Sequence, residues 1–112
     1  MGQFVAGDIV VINFPFSNLA GSKLRPALVV APSGKEDYIL CQITSKLYAS
    51  ENIVELSNND LKAGSLPVTS YIRSDKLFTA EHTIITKKAA TVKQEKLAEF
   101  KKALSQTLSL NT

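Results

Sequence analysis

Between Asp8 and Thr86 the chain runs through five or six short, largely β-branched segments, set close together and parted by turn residues. Most of the gaps are too short for a helix. That spacing restricts the fold to an antiparallel barrel or sandwich. Asp8 to Phe14 (DIVVINF) is apolar on both alternating faces apart from Asn13, which predicts a strand buried on both sides. Pro15 stops it, because proline cannot donate to a central ladder. Ser17 to Lys23 is a polar, glycine-containing loop. Pro26 to Ala31 (PALVVA) reads as a second short strand, with Pro26 in its first position. Pro32-Ser33-Gly34-Lys35 is a turn, and Asp37 to Thr44 (DYILCQIT) is the third strand. Lys46 to Glu51 is a connection. Asn52 to Leu56, Val68 to Arg73 and Thr83 to Thr86 are the remaining strand segments. Asn58-Asn59-Asp60 is a turn with room for one helical turn after it.

The last fifth of the chain changes period. Leu97, Phe100, Leu104 and Leu108 fall at i, i+3, i+7 and i+11, one apolar stripe along a helix. Thr91 and Gln94 have the Thr-x-x-Gln spacing of a capping box, which would start that helix. Lys93, Lys96, Lys101 and Lys102 lie mostly off the stripe, and a solvated outer face is the favoured reading over a nucleic-acid contact. The predicted fold is mainly β (α+β): a small antiparallel barrel closed by a C-terminal α-helix.

Length and composition narrow the class. The 112 residues make one domain, 1–112, large enough for its own core without a disulfide or metal staple. A lone Cys41 cannot close an intramolecular bridge, and one His with one Cys argues against a structural zinc site. No apolar run approaches the ~20 residues needed to span a bilayer, and no signal peptide is visible. The expected location is the cytoplasm. Net charge is +3, unevenly placed: residues 57–112 carry nine basic and five acidic groups. That balance is compatible with a polyanionic partner.

Eleven of the thirteen basic residues are lysines; the two arginines are Arg25 and Arg73. A guanidinium is a rigid, permanently charged fork that grips phosphate in a way lysine cannot copy. Each arginine could equally be an ordinary surface or ion-pair residue. Thr44 and Ser45 follow an apolar strand and could present hydroxyls at its end, or simply close it with hydrogen bonds. Asp75 is a possible general base; the alternatives are a salt bridge to Arg73 or a turn cap. His82, the only histidine, stands outside any recognisable pattern and reads as structural, and Cys41 as a small core residue. There is no glycine-rich phosphate loop, paired-carboxylate constellation or nucleophile elbow, and nothing points to a cofactor.

The stretch Gly7-Asp8-Ile9-Val10-Val11-Ile12-Asn13-Phe14-Pro15-Phe16, followed after a loop by Leu24-Arg25-Pro26-Ala27-Leu28-Val29-Val30, resembles the signature of the MazF/PemK family. Gln42-Ile43-Thr44-Ser45 and Ser70-Tyr71-Ile72-Arg73-Ser74-Asp75-Lys76-Leu77 extend the likeness from about residue 6 to the C-terminal helix. The resemblance implies an SH3-like barrel working as a homodimer. It also implies the toxin of a type II toxin–antitoxin pair, a ribosome-independent endoribonuclease that cuts single-stranded RNA at short sequences. Its antitoxin would block the RNA groove with an acidic, largely disordered tail. The positions matching the family's active-site pattern are Arg25 and Thr44, with a second set at Arg73 and Asp75. Lys23, Ser45, Lys46 and Lys76, beside them in sequence, are the further candidates for RNA contact. Some members carry a histidine or an acidic-polar pair in the first loop; here Lys23 is its one titratable group.

Metal-independent RNA cleavage uses the neighbouring 2′-hydroxyl as nucleophile and leaves a cyclic phosphate. It needs a proton acceptor, a proton donor and stabilised charge on the phosphate. Arg25 suits the last role, with Thr44 as an added donor. Asp75 is the more credible base, since arginine, with a pKa above ~12, rarely releases its proton. Arg73 would bind phosphate or assist the leaving oxygen. Two rival readings remain. The same barrel could grip nucleic acid or antitoxin without cutting, including operator DNA together with the antitoxin. Or it could be a housekeeping interaction domain that keeps the fold without the site.

Overall fold

The structure, a computed structural model, describes residues 4–15, 22–46 and 53–109, with the backbone alone given at 14–15 and 22–23. Most of the expected first loop, the connection after Lys46 and Asn52 therefore lie outside the described residues. The elements come in the order β1 (Asp8–Pro15), β2 (Ser22–Ser33), β3 (Asp37–Thr44), β4 (Ile53–Leu56), β5 (Leu61–Gly64), β6 (Ser70–Glu81), β7 (Ile85–Val92) and α1 (Gln94–Thr107). The strands form one antiparallel sheet in the order β4-β6-β3-β2-β1-β7-β5. It curls into a half-barrel with α1 against it, the mainly β architecture that the sequence predicts.

The two-sided apolar pattern of β1 has a direct cause. Ile9 enters a core beneath α1, together with Leu28, Cys41, Ile43, Ile72, Leu97 and Phe100. Val10 and Ile12 enter a second core on the other face, with Ala27, Val29, Tyr38, Leu40 and Ala80. A strand between two cores needs apolar residues at consecutive positions, because side chains alternate across the sheet.

Several expectations are corrected. Pro26 is not the start of β2 but lies within it, opposite Val11 of β1. Pairing of β2 with β3 begins one residue later, at Ala27–Gln42. Pro26 thus lies where only one side of the strand is laddered, a place that tolerates a missing N–H. The Asn58–Asp60 turn is itself a single 3-10 turn, and the chain passes from it into β5, which the sequence pattern does not predict. β6 runs on to Glu81, well past Arg73. The final strand begins at Ile85 after a 3-10 turn at His82–Ile84, and extends to Val92.

The capping box does not form. Thr91 lies in β7, and its hydroxyl donates to Asp8 Oδ1 at 3.1 Å. Lys93 occupies the N-cap position of α1 without a side-chain cap. Along α1 the stripe is buried at Leu97 and Phe100, partly buried at Leu104, and ends in solvent at Leu108, beyond the last helical residue. Lys93, Lys101 and Lys102 are solvated as expected. Lys96 instead lies along the sheet edge, 2.8 Å from Glu99, 3.7 Å from Asp60, and donating to the Glu55 carbonyl at 3.0 Å.

Candidate functional site

Register places the candidate residues. Arg25 lies opposite Ile12 of β1, a residue of the second core. Two positions on, Ala27 lies opposite Gln42 of β3. Continuing that register sets Arg25 level with Thr44, and Thr44 lies opposite Tyr71 of β6. Directly opposed residues share a face of the sheet. Arg25, Gln42, Thr44, Tyr71 and Arg73 therefore all stand on the face turned away from α1. β2 and β6 flank β3, so the two arginine-bearing strands run roughly 10 Å apart.

At the end of β3 this face opens into a cavity of about 450 Å³. Arg25, Thr44, Ser45 and Lys46 line it, together with Gln42, Ser70 and the apolar Leu24, Leu66 and Val68. Thr44 is 8% exposed, and its hydroxyl oxygen accepts the Lys46 N–H at 3.2 Å. With a lone pair so engaged, the hydroxyl proton of Thr44 is left to donate. The Nε of Arg25 is sealed from solvent.

Arg73, Asp75 and Lys76 do not line that cavity. They lie in an irregular part of β6. Ile72 faces Ile43 and Leu77 faces Cys41, so the four residues Arg73 to Lys76 stand against Gln42 alone. Arg73 remains paired with Ile53 of β4. Its Nη2 donates to Asp75 Oδ2 at 3.3 Å, with the two side chains 18% and 31% exposed. The salt bridge that the sequence left open is thus present. Lys76 is exposed beside it. The side chain of Lys23 lies outside the described residues.

Cys41 is fully buried. Burial pushes its thiol up to about 12, and the negative charge of Asp75 pushes in the same direction. It is a core residue and not a nucleophile at neutral pH. His82 stands at the far end of β3 from Thr44, where its Nδ1 lies 3.2 Å from Glu36 Oε1 and its N–H donates to the Glu36 carbonyl at 2.9 Å. It ties a turn and is remote from the cavity. Sequence reasoning missed Gln42, Leu66, Val68 and Ser70 as cavity residues. Gln42 carried a signal, being the one amide of β3; Leu66 and Val68 arrive from a loop and Ser70 opens β6, and none of these carried one.

The family description for PemK-like, MazF-like toxins of type II toxin–antitoxin systems matches residues 6–108. The chain belongs to that family. A mycobacterial endoribonuclease, solved in complex with its cognate antitoxin, is similar in fold at 17% identity and a TM-score of 0.76, over 98% of this chain and 99% of that one. The MazE–MazF complex of Deinococcus radiodurans is similar at 24% identity and 0.74, over 95% and 96%. A MazF toxin of Mycobacterium tuberculosis is similar at 13% identity and 0.71, over 92% and 99%. No curated protein matches the sequence. Among the described residues of this MazF/PemK-like toxin, no helix is long and apolar enough to cross a membrane.

Proposed function

We propose that this MazF/PemK-like toxin is a metal-independent endoribonuclease that cuts single-stranded RNA, and that residues 1–112 act as a single toxin domain. The observation that carries the reading is the convergence of Arg25 and Thr44 on one cavity at the end of β3, flanked by Ser45 and Lys46. The names of similar structures support it: one is an endoribonuclease bound to a cognate antitoxin, another a MazE–MazF complex.

In the proposed reaction the ribose 2′-oxygen attacks the adjacent phosphorus and the bond to the 5′-oxygen breaks. The products are a 2′,3′-cyclic phosphate and a free 5′-hydroxyl. Arg25 takes the charge that builds on the non-bridging oxygens, where a preorganised fork acts most strongly. Thr44 donates a second hydrogen bond. The Arg73–Asp75 pair supplies proton transfer along the same face: Asp75 accepts the 2′-proton and Arg73 steadies the phosphate or the leaving oxygen. Lys23, Ser45, Lys46 and Lys76 hold flanking nucleotides. The working unit is a cytoplasmic homodimer, and an antitoxin with an acidic, disordered tail occupies the RNA groove. Together the two proteins would bind operator DNA.

The test is incubation of purified protein with a long single-stranded RNA in EDTA. Discrete fragments ending in cyclic phosphate are expected, and Arg25→Ala should abolish them while the protein stays folded. RNA that stays intact but bound would replace the enzyme with a non-catalytic nucleic-acid-binding module.

A further inference from the structure

Ser74 is the one polar residue of the β6 irregularity that is wholly buried. Its neighbours in sequence, Arg73 and Asp75, turn the other way and pair with each other. Ser74 Oγ lies 2.8 Å from Thr107 Oγ1, in the last turn of α1. The Thr107 hydroxyl also reaches the Ala103 carbonyl one turn back, at 2.8 Å. Either hydroxyl can supply the proton shared between the two oxygens. This relay ties the end of the helix to the stretch where four residues of β6 face the single Gln42 of β3. Arg73 is still held by its pairing with Ile53 of β4, but beyond it the strand loses the ladder hydrogen bonds that fix its path, so something else must set where Asp75 stands against Arg73.

We infer that the Ser74–Thr107 hydroxyl pair is that device: it clamps the β6 irregularity to α1 and thereby positions the Arg73–Asp75 couple on the open face. Ser74 and Thr107 are positioning residues, and neither touches RNA. The catalytic consequence rests on the ribonuclease reading above. The positioning itself does not.

Thr107→Val keeps the shape and removes the hydroxyl; Thr107→Ser restores it. Two measurements separate the outcomes. The first is the solvent-exchange rate of the Arg73 Hε proton by NMR, on a nitrogen that is sealed from solvent in the folded chain. It should rise in Thr107→Val and return in Thr107→Ser. An unchanged rate in a folded Thr107→Val protein overturns the proposal whether or not the protein cuts RNA. The second is steady-state cleavage. Displacing reacting groups by an ångström costs up to about a hundredfold in rate, so kcat should fall by about tenfold or more in Thr107→Val, with KM little changed and Thr107→Ser restoring kcat. Normal kcat in Thr107→Val beside a defective Asp75→Asn would also overturn the proposal. If Arg25→Ala is inactive but Asp75→Asn and Arg73→Ala both cut normally, the β6 pair is outside the reaction; the exchange result then decides the clamp alone.

Discussion

Thr91 Oγ1 donates to Asp8 Oδ1 at 3.1 Å, joining the end of the last strand to the start of the first across 83 residues of chain. Asp8 is 3% exposed, and its other oxygen accepts the Val5 N–H at 3.0 Å. Lys88 stands 3.9 Å away at the surface. A hydrogen bond to a charged group contributes about 1.5–3 kcal/mol, and two meet here. Asp8→Ala should therefore lower unfolding free energy by about 3 kcal/mol. Thr91→Val should cost less, because Asp8 keeps its second donor. Urea denaturation checks both.

The same bond explains where the sequence was legible and where it was not. Strand positions and the apolar face of α1 come from period, and Asp37–Thr44 is found with both its ends because Gly34 precedes it and the apolar alternation ceases after it. Thr91 has the spacing of a cap, yet a buried carboxylate far away in sequence claims its hydroxyl. Long-range partners of that kind leave no local trace. β5 was illegible for a related reason: LKAG has no strand pattern, and its pairing with β7 brings Gly64 so close to Ala89 and Ala90 that a Cβ there would collide with their backbone. At the site, the contrast between two arginines and eleven lysines marked Arg25 and Arg73, and strand register then carries both to one face. The contribution of Leu66 and Val68 depends on how the loop before β6 folds back, which no spacing encodes.

Arg25→Lys separates charge from geometry. Lysine keeps the positive charge but lacks the planar fork. Loss of one preorganised donor to developing charge costs about 10²–10³ in kcat, so Arg25→Lys should lose about a hundredfold. Thr44→Val should lose less, since it removes a neutral donor, though it also deprives the Lys46 N–H of its acceptor. Cleavage of a fluorescent RNA by both variants checks the order. Equal activity of Arg25→Lys and wild type would show that a point charge is enough.

The Arg73–Asp75 pair should matter far more to activity than to stability. Both side chains keep contact with solvent, and exposed pairs typically contribute well under about 1 kcal/mol. Asp75→Asn should leave the denaturation midpoint nearly unchanged while depressing kcat. A large loss of stability with normal kcat would make the pair purely structural.

Cys41 should resist modification at pH 8 until the chain unfolds. Its thiol ionises near 12 in the folded protein against 9.0 for the free group, chiefly through burial and further through Asp75. The folded state holds this proton more tightly than the unfolded state. The associated stability is complete below pH 9 and declines as pH rises from 9 toward 12. A thiol reagent should thus label the protein in denaturant and not in buffer. Asp75→Asn removes the repelling charge, so Cys41 in that variant should become reactive at a lower pH, though still above the value of a free thiol.

Gly64 tests why β5 is where it is. Its φ is +78°, and a Cβ there would run into the Ala89 carbonyl oxygen and the Cα of Ala90 on β7. Gly34 has a similar φ of +69°, but nothing lies within 4 Å of its Cβ position. Both substitutions to alanine impose a left-handed conformation, at about 1–2 kcal/mol. Only Gly64→Ala adds a backbone collision, and overpacking of that kind typically costs a further 1–3 kcal/mol or so. Gly64→Ala should therefore be the more destabilised by that margin. It should also speed amide exchange in β5, because the strand must move off β7 to make room. Equal melting curves for the two variants would mean that β5 yields without cost, and that its close approach to β7 contributes nothing to holding the sheet's edge.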